Sequence, residues 1–195
     1  VPNFDLDLVV EGNGEELATC LADNLGGKSR IHERFRTAMV TLPDGTKIDV
    51  ATARTEYYEF PAALPRVEKS SIREDLYRRD FTINTLAIYL NPNRFDDLID
   101  YFGGRRDLEK GIIRILYNLS FVEDPTRILR AIRFEQRYSF TIEPDTLRFA
   151  IDAIERRMLG KLSYKRILQE LILILSEKDP SSSLDRMKEI GVWKY

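Results

Sequence analysis

Cysteine, histidine and tryptophan are almost missing from this chain, which holds one of each: Cys20, His32 and Trp193. A lone cysteine excludes an intrachain disulfide and fits a reducing compartment, so a cytoplasmic protein is expected. Cys20 itself reads as a small buried hydrophobe in a helix rather than a nucleophile. A lone histidine excludes a multi-histidine metal centre. No apolar run reaches the roughly 18–20 residues of a membrane span; Leu171 to Leu175 suits a core patch, and no membrane association is expected. An excess of charge is missing too. The 30 basic and 32 acidic residues leave a net charge of −2, so any phosphate-binding surface must come from local segregation.

The 195 residues, 43% of them hydrophobic, are enough for one large domain or two small ones with a real core. Phe4 to Val10 reads as a strand, Glu15 to Asn24 as a helix closed by Gly26-Gly27, and Thr37 to Leu42 and Lys47 to Ala53 as strands. Pro43-Asp44-Gly45 between the last two is a hairpin turn. Glu56 to Ser70, with Pro61 and Pro65, suits a loop, and Ile72 to Leu90 has a helical pattern. Asp97 to Tyr101 and Ile112 to Leu116 are short apolar stretches around Gly103-Gly104. Helices follow at about 124–137, 143–156, 163–177 and 182–190. The pattern predicts an α+β chain: a mixed-sheet part over residues 1–118, then an all-helical part over 119–195.

Asp5-Leu6-Asp7-Leu8 lies on the first predicted strand. Residues two apart on a strand share a face, so Asp5 and Asp7 project together while Leu6 and Leu8 project into a core. Paired carboxylates repel unless they are solvated or neutralised, and a hard divalent cation bound through oxygen neutralises them. Asp49 sits on a neighbouring predicted strand. Strand-end acids facing water would look the same.

Two arginine-rich stretches come next. Arg78-Arg79-Asp80-Phe81-Thr82-Ile83-Asn84 falls on the predicted helix Ile72 to Leu90, which would put Asp80 and Asn84 on one face. Glu123-Asp124-Pro125-Thr126-Arg127 is followed by Arg130, Arg133 and Arg137, an arginine side opposite Ile128, Leu129 and Ile132. Asp124 is placed to cap that helix, with Pro125 in its first turn. A solvated face is the ordinary reading of such a stripe, but four arginines offset by Glu135 alone exceed what solvation needs.

These stretches, with Asp100-Tyr101-Phe102-Gly103-Gly104-Arg105-Arg106-Asp107-Leu108 and Leu162-Ser163-Tyr164-Lys165-Arg166-Ile167, occur in an order that resembles the class II tRNA nucleotidyltransferases and bacterial poly(A) polymerases. The resemblance covers nearly the whole chain and implies a nucleotidyltransferase head followed by a helical neck. It implies that Asp5 and Asp7 bind metal, with Asp49 as third active-site carboxylate and two Mg2+ ions as cofactor. Arg79, Asp80 and Asn84 fall in the motif that holds ribose and phosphates. Asp124 and Arg127 match the pair that reads the base edge, and Arg130 a neighbour in that pocket. Arg133 and Arg137 are expected to contact RNA or nucleotide phosphates. Aspartate only accepts and arginine only donates, so together they complement the amino group and ring nitrogen of adenine or cytosine.

The implied activity is transfer of AMP or CMP from ATP or CTP to the 3′ end of tRNA. The stretches Thr52 to Tyr58, Pro61 to Pro65, Ser70 to Ile72 and Asn118 to Phe121 resemble the A-adding branch. Poly(A), CC and CCA addition stay open, as do a small-molecule nucleotidyltransferase and a non-catalytic RNA-binding module. The family's glycine-rich triphosphate segment, which precedes the Asp-x-Asp strand, is not in the sequence. The chain starts abruptly at Val1-Pro2-Asn3 and reads as a piece of a longer protein. Without that segment it is expected to bind nucleotide poorly.

Overall fold

The protein is described here by a computed structural model covering residues 6–32 and 37–194. Its contacts divide it into two compact units, one of residues 1–57 and 66–78 and the other of 58–65 and 79–195.

The first unit is built on a four-stranded mixed sheet. Strand β1 (Leu6–Val10) is followed by helix α1 (Gly14–Leu25), then β2 (Lys28–His32), β3 (Thr37–Thr41) and β4 (Lys47–Thr52). Their order across the sheet is β1-β4-β3-β2, with β1 parallel to β4 and the other pairs antiparallel. Alternation sets the two faces. Ile48 and Val50 of β4 are buried with Ala38 and Val40 against Ala18 and Ala22 of α1. Leu8 packs on this core, but Leu6 is 44% exposed. The expected inward pair is therefore half right: β1 is an edge strand, and its first residue overhangs the core.

Asn13 caps α1 through Oδ1, and Gly26 closes it in the left-handed conformation (φ 66°). Gly14 is forced by closeness: a Cβ there would lie 2.9 Å from the Thr52 backbone nitrogen. Cys20 lies on the exposed side of α1, where Asn24 Nδ2 donates to its Sγ, so the buried-hydrophobe expectation fails. The helix buries a narrow alanine stripe, and Cys20 falls outside it.

Residues 56–70 are not a loop throughout. Strand β5 (Arg54–Tyr57) pairs with β6 (Arg66–Lys69), and the prolines lie between the strands. Helix α2 (Ile72–Tyr77) stops at Arg78, so the helix expected to reach Leu90 ends thirteen residues early. What ends it is a charge cluster. Asp75, fully buried, accepts from the Arg54 backbone nitrogen (3.2 Å) and from Arg78 Nη2 (2.8 Å), and Arg78 Nη1 reaches Glu56 (2.9 Å).

The second unit opens with a short 3-10 turn, Thr82–Asn84, then β7 (Ala87–Ile88), β8 (Leu98–Ile99), α3 (Gly104–Glu109) and β9 (Ile112–Ile113). Helices α4 (Ser120–Glu123) and α5 (Thr126–Tyr138), strand β10 (Thr141–Ile142) and helices α6 (Pro144–Glu155), α7 (Tyr164–Leu175) and α8 (Pro180–Glu189) complete it. One core runs through it, including Phe81, Ile113, Phe121, Ile128, Ile132, Ile154, Ile174 and Met187. The four long helices stand where periodicity placed them.

The Gly-Gly stretch shows why its residues are needed. Asp100 caps α3, accepting from Gly104 N (2.7 Å) and Arg105 N (3.1 Å). Asp107, 1% exposed, accepts from Thr82 Oγ1 (2.8 Å) and Arg114 Nε (2.9 Å). Gly104 lets α3 sit directly on the 3-10 turn, since a Cβ there would fall 2.2 Å from the Thr82 carbonyl oxygen. Gly104→Ala should therefore destabilise the protein by about 1–3 kcal/mol through overpacking, despite the roughly 1 kcal/mol that alanine gains over glycine in a helix. Thermal unfolding checks the sign; a raised Tm would show that the contact yields.

Candidate functional site

In the first unit the carboxylates lie on the sheet face opposite α1. Asp7 and Asp49 are direct register partners in the parallel β1–β4 pair, and both are exposed. The same cross-strand row continues through Met39 to Arg30. Register partners on neighbouring strands point to the same face. Asp5 lies outside the described residues. Among those described, no group of three or more His, Cys, Asp or Glu side chains is placed to hold a metal. Two hard carboxylates side by side are donors of the kind Mg2+ takes.

The second unit holds the arginine residues. Asp80 is 8% exposed. Its Oδ1 accepts from Phe81 N (2.9 Å) and Asn84 Nδ2 (2.8 Å), and its Oδ2 from Arg130 Nε (2.8 Å) and Nη2 (2.6 Å). Asp80 and Asn84 do meet, but through the 3-10 turn rather than along a continuous helix. Arg79 Nη1 donates to the Asn84 carbonyl (3.2 Å), so Arg79, Asp80, Asn84 and Arg130 form one assembly. Burial disfavours the Arg130 charge, but Asp80 and Glu170 outweigh it and hold its pKa above the usual arginine value.

Asp124 is the last residue before the Pro125 turn. Its Oδ1 accepts from Thr126 N (3.0 Å) and Thr126 Oγ1, and pairs with Arg166 Nη2 at 2.7 Å. It thus caps the start of α5, as its spacing suggested, and carries an ion pair as well. Arg127 is 5% exposed. Its Nη1 donates to Ser120 Oγ (2.6 Å) and to the Tyr117 hydroxyl (3.2 Å), which itself donates to Glu123 Oε2. Burial opposes the Arg127 charge, but Tyr117, Tyr58 and Asp124 raise its pKa above the usual value.

The arginine side of α5 is not a solvated stripe. Arg133 is 6% exposed, lies 3.6 Å from Glu170 and 3.5 Å from Glu177, and stacks over Phe134. Arg137 is half exposed and shares Glu177 at 3.3 Å. The acids that offset these arginines, Asp80, Glu170 and Glu177, come from other elements, and Glu135 is taken by Arg186 at 2.8 Å. Counting charges along one helix missed them, because only tertiary packing brings them in. Arg166, Glu170, Tyr117 and Ser120 were not singled out from the sequence. Arg166 and Ser120 stood inside recognised stretches; Glu170 and Tyr117 carried no local signal.

A mixed sheet with an open carboxylate face, joined to helices bearing buried aspartate–arginine pairs, is the fold of a nucleotidyltransferase. The chain belongs to the family described as the poly A polymerase head domain, which matches residues 2–114. Residues 139–195 match the family described as the probable RNA and SrmB-binding site of polymerase A. The A-adding tRNA nucleotidyltransferase of Geobacter sulfurreducens is 51% identical over 99% of this chain and 22% of its own length. That of Halalkalibacterium halodurans is 43% identical over 100% and 46%. A solved CCA-adding enzyme in an apo form is 52% identical with a TM-score of 0.95, over 100% of this chain and 46% of its own. The Thermotoga maritima CCA-adding enzyme complexed with tRNA is 49% identical with a TM-score of 0.86, over 100% and 44%. The chain thus spans between about a fifth and a half of the curated relatives it matches. Enzymes of this family generally depend on divalent metal, and among the described residues no helix is long and apolar enough to cross a membrane.

Two measurements test the buried pairs. Arg130→Met leaves Asp80 buried without its charge partner and should cost about 3 kcal/mol of stability. Asp80→Asn combined with Arg130→Met should cost less than the sum of the single changes, as read by denaturant unfolding. Tyr117 supplies a titration. Burial pushes its phenol up to about 12, against the pull of Arg127. A folded pKa above the unfolded value of about 10 means that its contribution to stability is complete below pH 10. That contribution is lost as pH rises towards about 12. The ultraviolet difference titration of wild type against Tyr117→Phe should show this component near 12; a component near 10 would place the phenol in water.

Proposed function

We propose that the protein containing this chain transfers a nucleotide to the 3′ end of tRNA, most specifically the terminal A, drawing AMP from ATP. The observation that carries this reading is the register pair Asp7 and Asp49 on the open sheet face. A module that only binds RNA has no use for adjacent exposed carboxylates, whose repulsion is unfavourable without a cation. The A-adding assignment rests on the curated A-adding relatives at 51% and 43% identity. CCA addition is the second reading, favoured by the solved CCA-adding enzyme at 52% identity. The head is taken as residues 1–118 and the neck as 119–195, and the compartment as the cytoplasm.

Asp5 and Asp7 would hold Mg2+, with Asp49 beside them. When bound, the metal supplies activation of the attacking 3′ hydroxyl and charge stabilisation at the triphosphate. The chain's own residues do the rest. Asp49 stands next to Asp7 to accept the hydroxyl proton or orient its oxygen. Arg79, Asp80 and Asn84 form a prearranged edge for ribose and phosphate, braced by Arg130. Asp124 offers an acceptor and Arg127 a donor to the base. Both are held before any nucleotide arrives, and prearrangement of this kind lets polar groups stabilise a transition state without reorganising. Arg137, half exposed, is the better placed of the outer pair to meet phosphate, while Arg133 serves mainly the ion-pair line.

The test gives the full-length protein a tRNA ending in CC, or one lacking all three terminal residues, with labelled ATP or CTP. A-adding activity predicts ATP incorporation on the first substrate only; CTP incorporation on the second together with ATP incorporation on the first selects the CCA reading. Asp7→Ala and Asp49→Ala should each lower incorporation at least about a hundredfold with the fold intact by circular dichroism. Near wild-type kcat in either variant would remove the carboxylate pair from the chemistry.

A further inference from the structure

Arg166, in the first turn of α7, joins three parts of the second unit. Its Nη2 lies 2.7 Å from Asp124 Oδ1, and its Nη1 donates to the Ala62 carbonyl at 3.2 Å. Ala62 in turn donates its backbone N–H to the Glu123 carbonyl at 3.1 Å. The segment 58–65, residues 123–124 and the start of α7 are thereby closed into a ring. Ala62 has φ 65°, a left-handed conformation that a non-glycine residue adopts at a cost of about 1–2 kcal/mol. The two backbone bonds at Ala62 hold it there.

The effect falls on one carboxylate oxygen. Asp124 Oδ1 takes the Thr126 N–H, the Thr126 hydroxyl and Arg166. Among the described residues Oδ2 has no hydrogen-bond partner, and the Asp124 side chain keeps 19% of its surface exposed. Three donors on one oxygen leave the carboxylate a single orientation, with its second oxygen as the acceptor that remains. A planar guanidinium fork holds the Asp124 carboxylate and the Ala62 carbonyl in a fixed relative direction, which the rotatable ammonium of lysine does not impose. The two side chains keep 22% and 19% of their surface exposed, and what the pair adds besides attraction is a fixed direction.

We propose that Arg166 is a positioning residue for base selection: it anchors Asp124 Oδ1 against segment 58–65 and so aims Oδ2 at the exocyclic amino group of the incoming base. The proposal rests on the reading of Asp124 as a base-edge acceptor.

The test uses full-length protein, a tRNA ending in CC, and kcat/KM for ATP and UTP side by side. Wild type, Asp124→Ala, Arg166→Gln, Arg166→Lys and the double variant Asp124→Ala with Arg166→Gln are compared. Asp124→Ala should lower the ATP-to-UTP ratio. Arg166→Gln should lower it roughly tenfold, the scale of one charge-assisted hydrogen bond. Arg166→Lys should also lower it, because charge without the fork does not fix the carboxylate. The double variant should be no less selective than Asp124→Ala alone, since Arg166 acts through that residue. A ratio within twofold of wild type in both Arg166 variants, with Asp124→Ala impaired, overturns the proposal while sparing the base-reading assignment. An unchanged ratio in Asp124→Ala, or no A addition by wild type, overturns both. If Arg166→Gln does not fold, Arg166→Lys decides; if neither folds, Arg166 is a structural residue and the proposal falls.

Discussion

The buried carboxylate of Asp80 is the inner end of a line of paired side chains that runs through the second unit. An isolated buried carboxylate would cost many kcal/mol, so each of its oxygens has to find donors. One is met locally, by the Phe81 backbone and by Asn84 folded back on a 3-10 turn. The other takes the Arg130 fork from α5. Arg130 then needs Glu170, Glu170 needs Arg133, Arg133 needs Glu177, and Glu177 ends the line at half-exposed Arg137. Each charge is neutralised by the next until water takes over. A hydrophobic replacement could be as stable; what the ion line adds is a fixed direction for the groups at its inner end.

The aspartate of the Gly-Gly stretch bears on the same place from the other side. Asp107 holds Thr82, and Thr82 opens the turn that carries Asn84. Gly104 is there so that α3 can lie against the Thr82 carbonyl. Two independent supports, one from α3 and one from α5, therefore converge on a three-residue turn too short to hold itself.

Much of this was legible in the sequence, and the reasons differ by element. Three of the four strands were readable because Asp7, Leu8, Ile48, Asp49 and Val50 alternate, and register then follows from the buried face; β2 (Lys28–His32) was not, since it is exposed along its length and carries no apolar alternation. The long helices were readable from their apolar spacing. The stretch after Ile72 was not, since helical periodicity continues past Arg78 although Asp75, Arg54 and Glu56 pin that arginine and stop the helix. The β5–β6 pair was hidden by prolines that belong to the connection between the strands. Pairing partners of the α5 arginines were invisible for a different reason. Glu170 lies forty residues beyond Arg130, and nothing local announces that α7 will return beside α5.

The two units place opposite electrostatic demands on their residues, and this accounts for the near-zero net charge of a chain whose relatives handle RNA. In the sheet, Asp7 and Asp49 are exposed register partners that bring two like charges to one face. In the helices every inward arginine is matched to an acid or a hydroxyl, and its charge is largely spent on orientation. A large uncompensated basic field would attract nucleic acid everywhere and select nothing. Matching Arg127 to Ser120 and Tyr117, and Asp124 to Thr126 and Arg166, leaves few unmatched polar atoms, and those point in fixed directions. Selection among bases depends on such direction more than on attraction, because a misplaced hydrogen-bonding group costs about as much as a missing one. On the proposed reading of Asp124 and Arg127, the charge balance belongs to a site that discriminates by geometry.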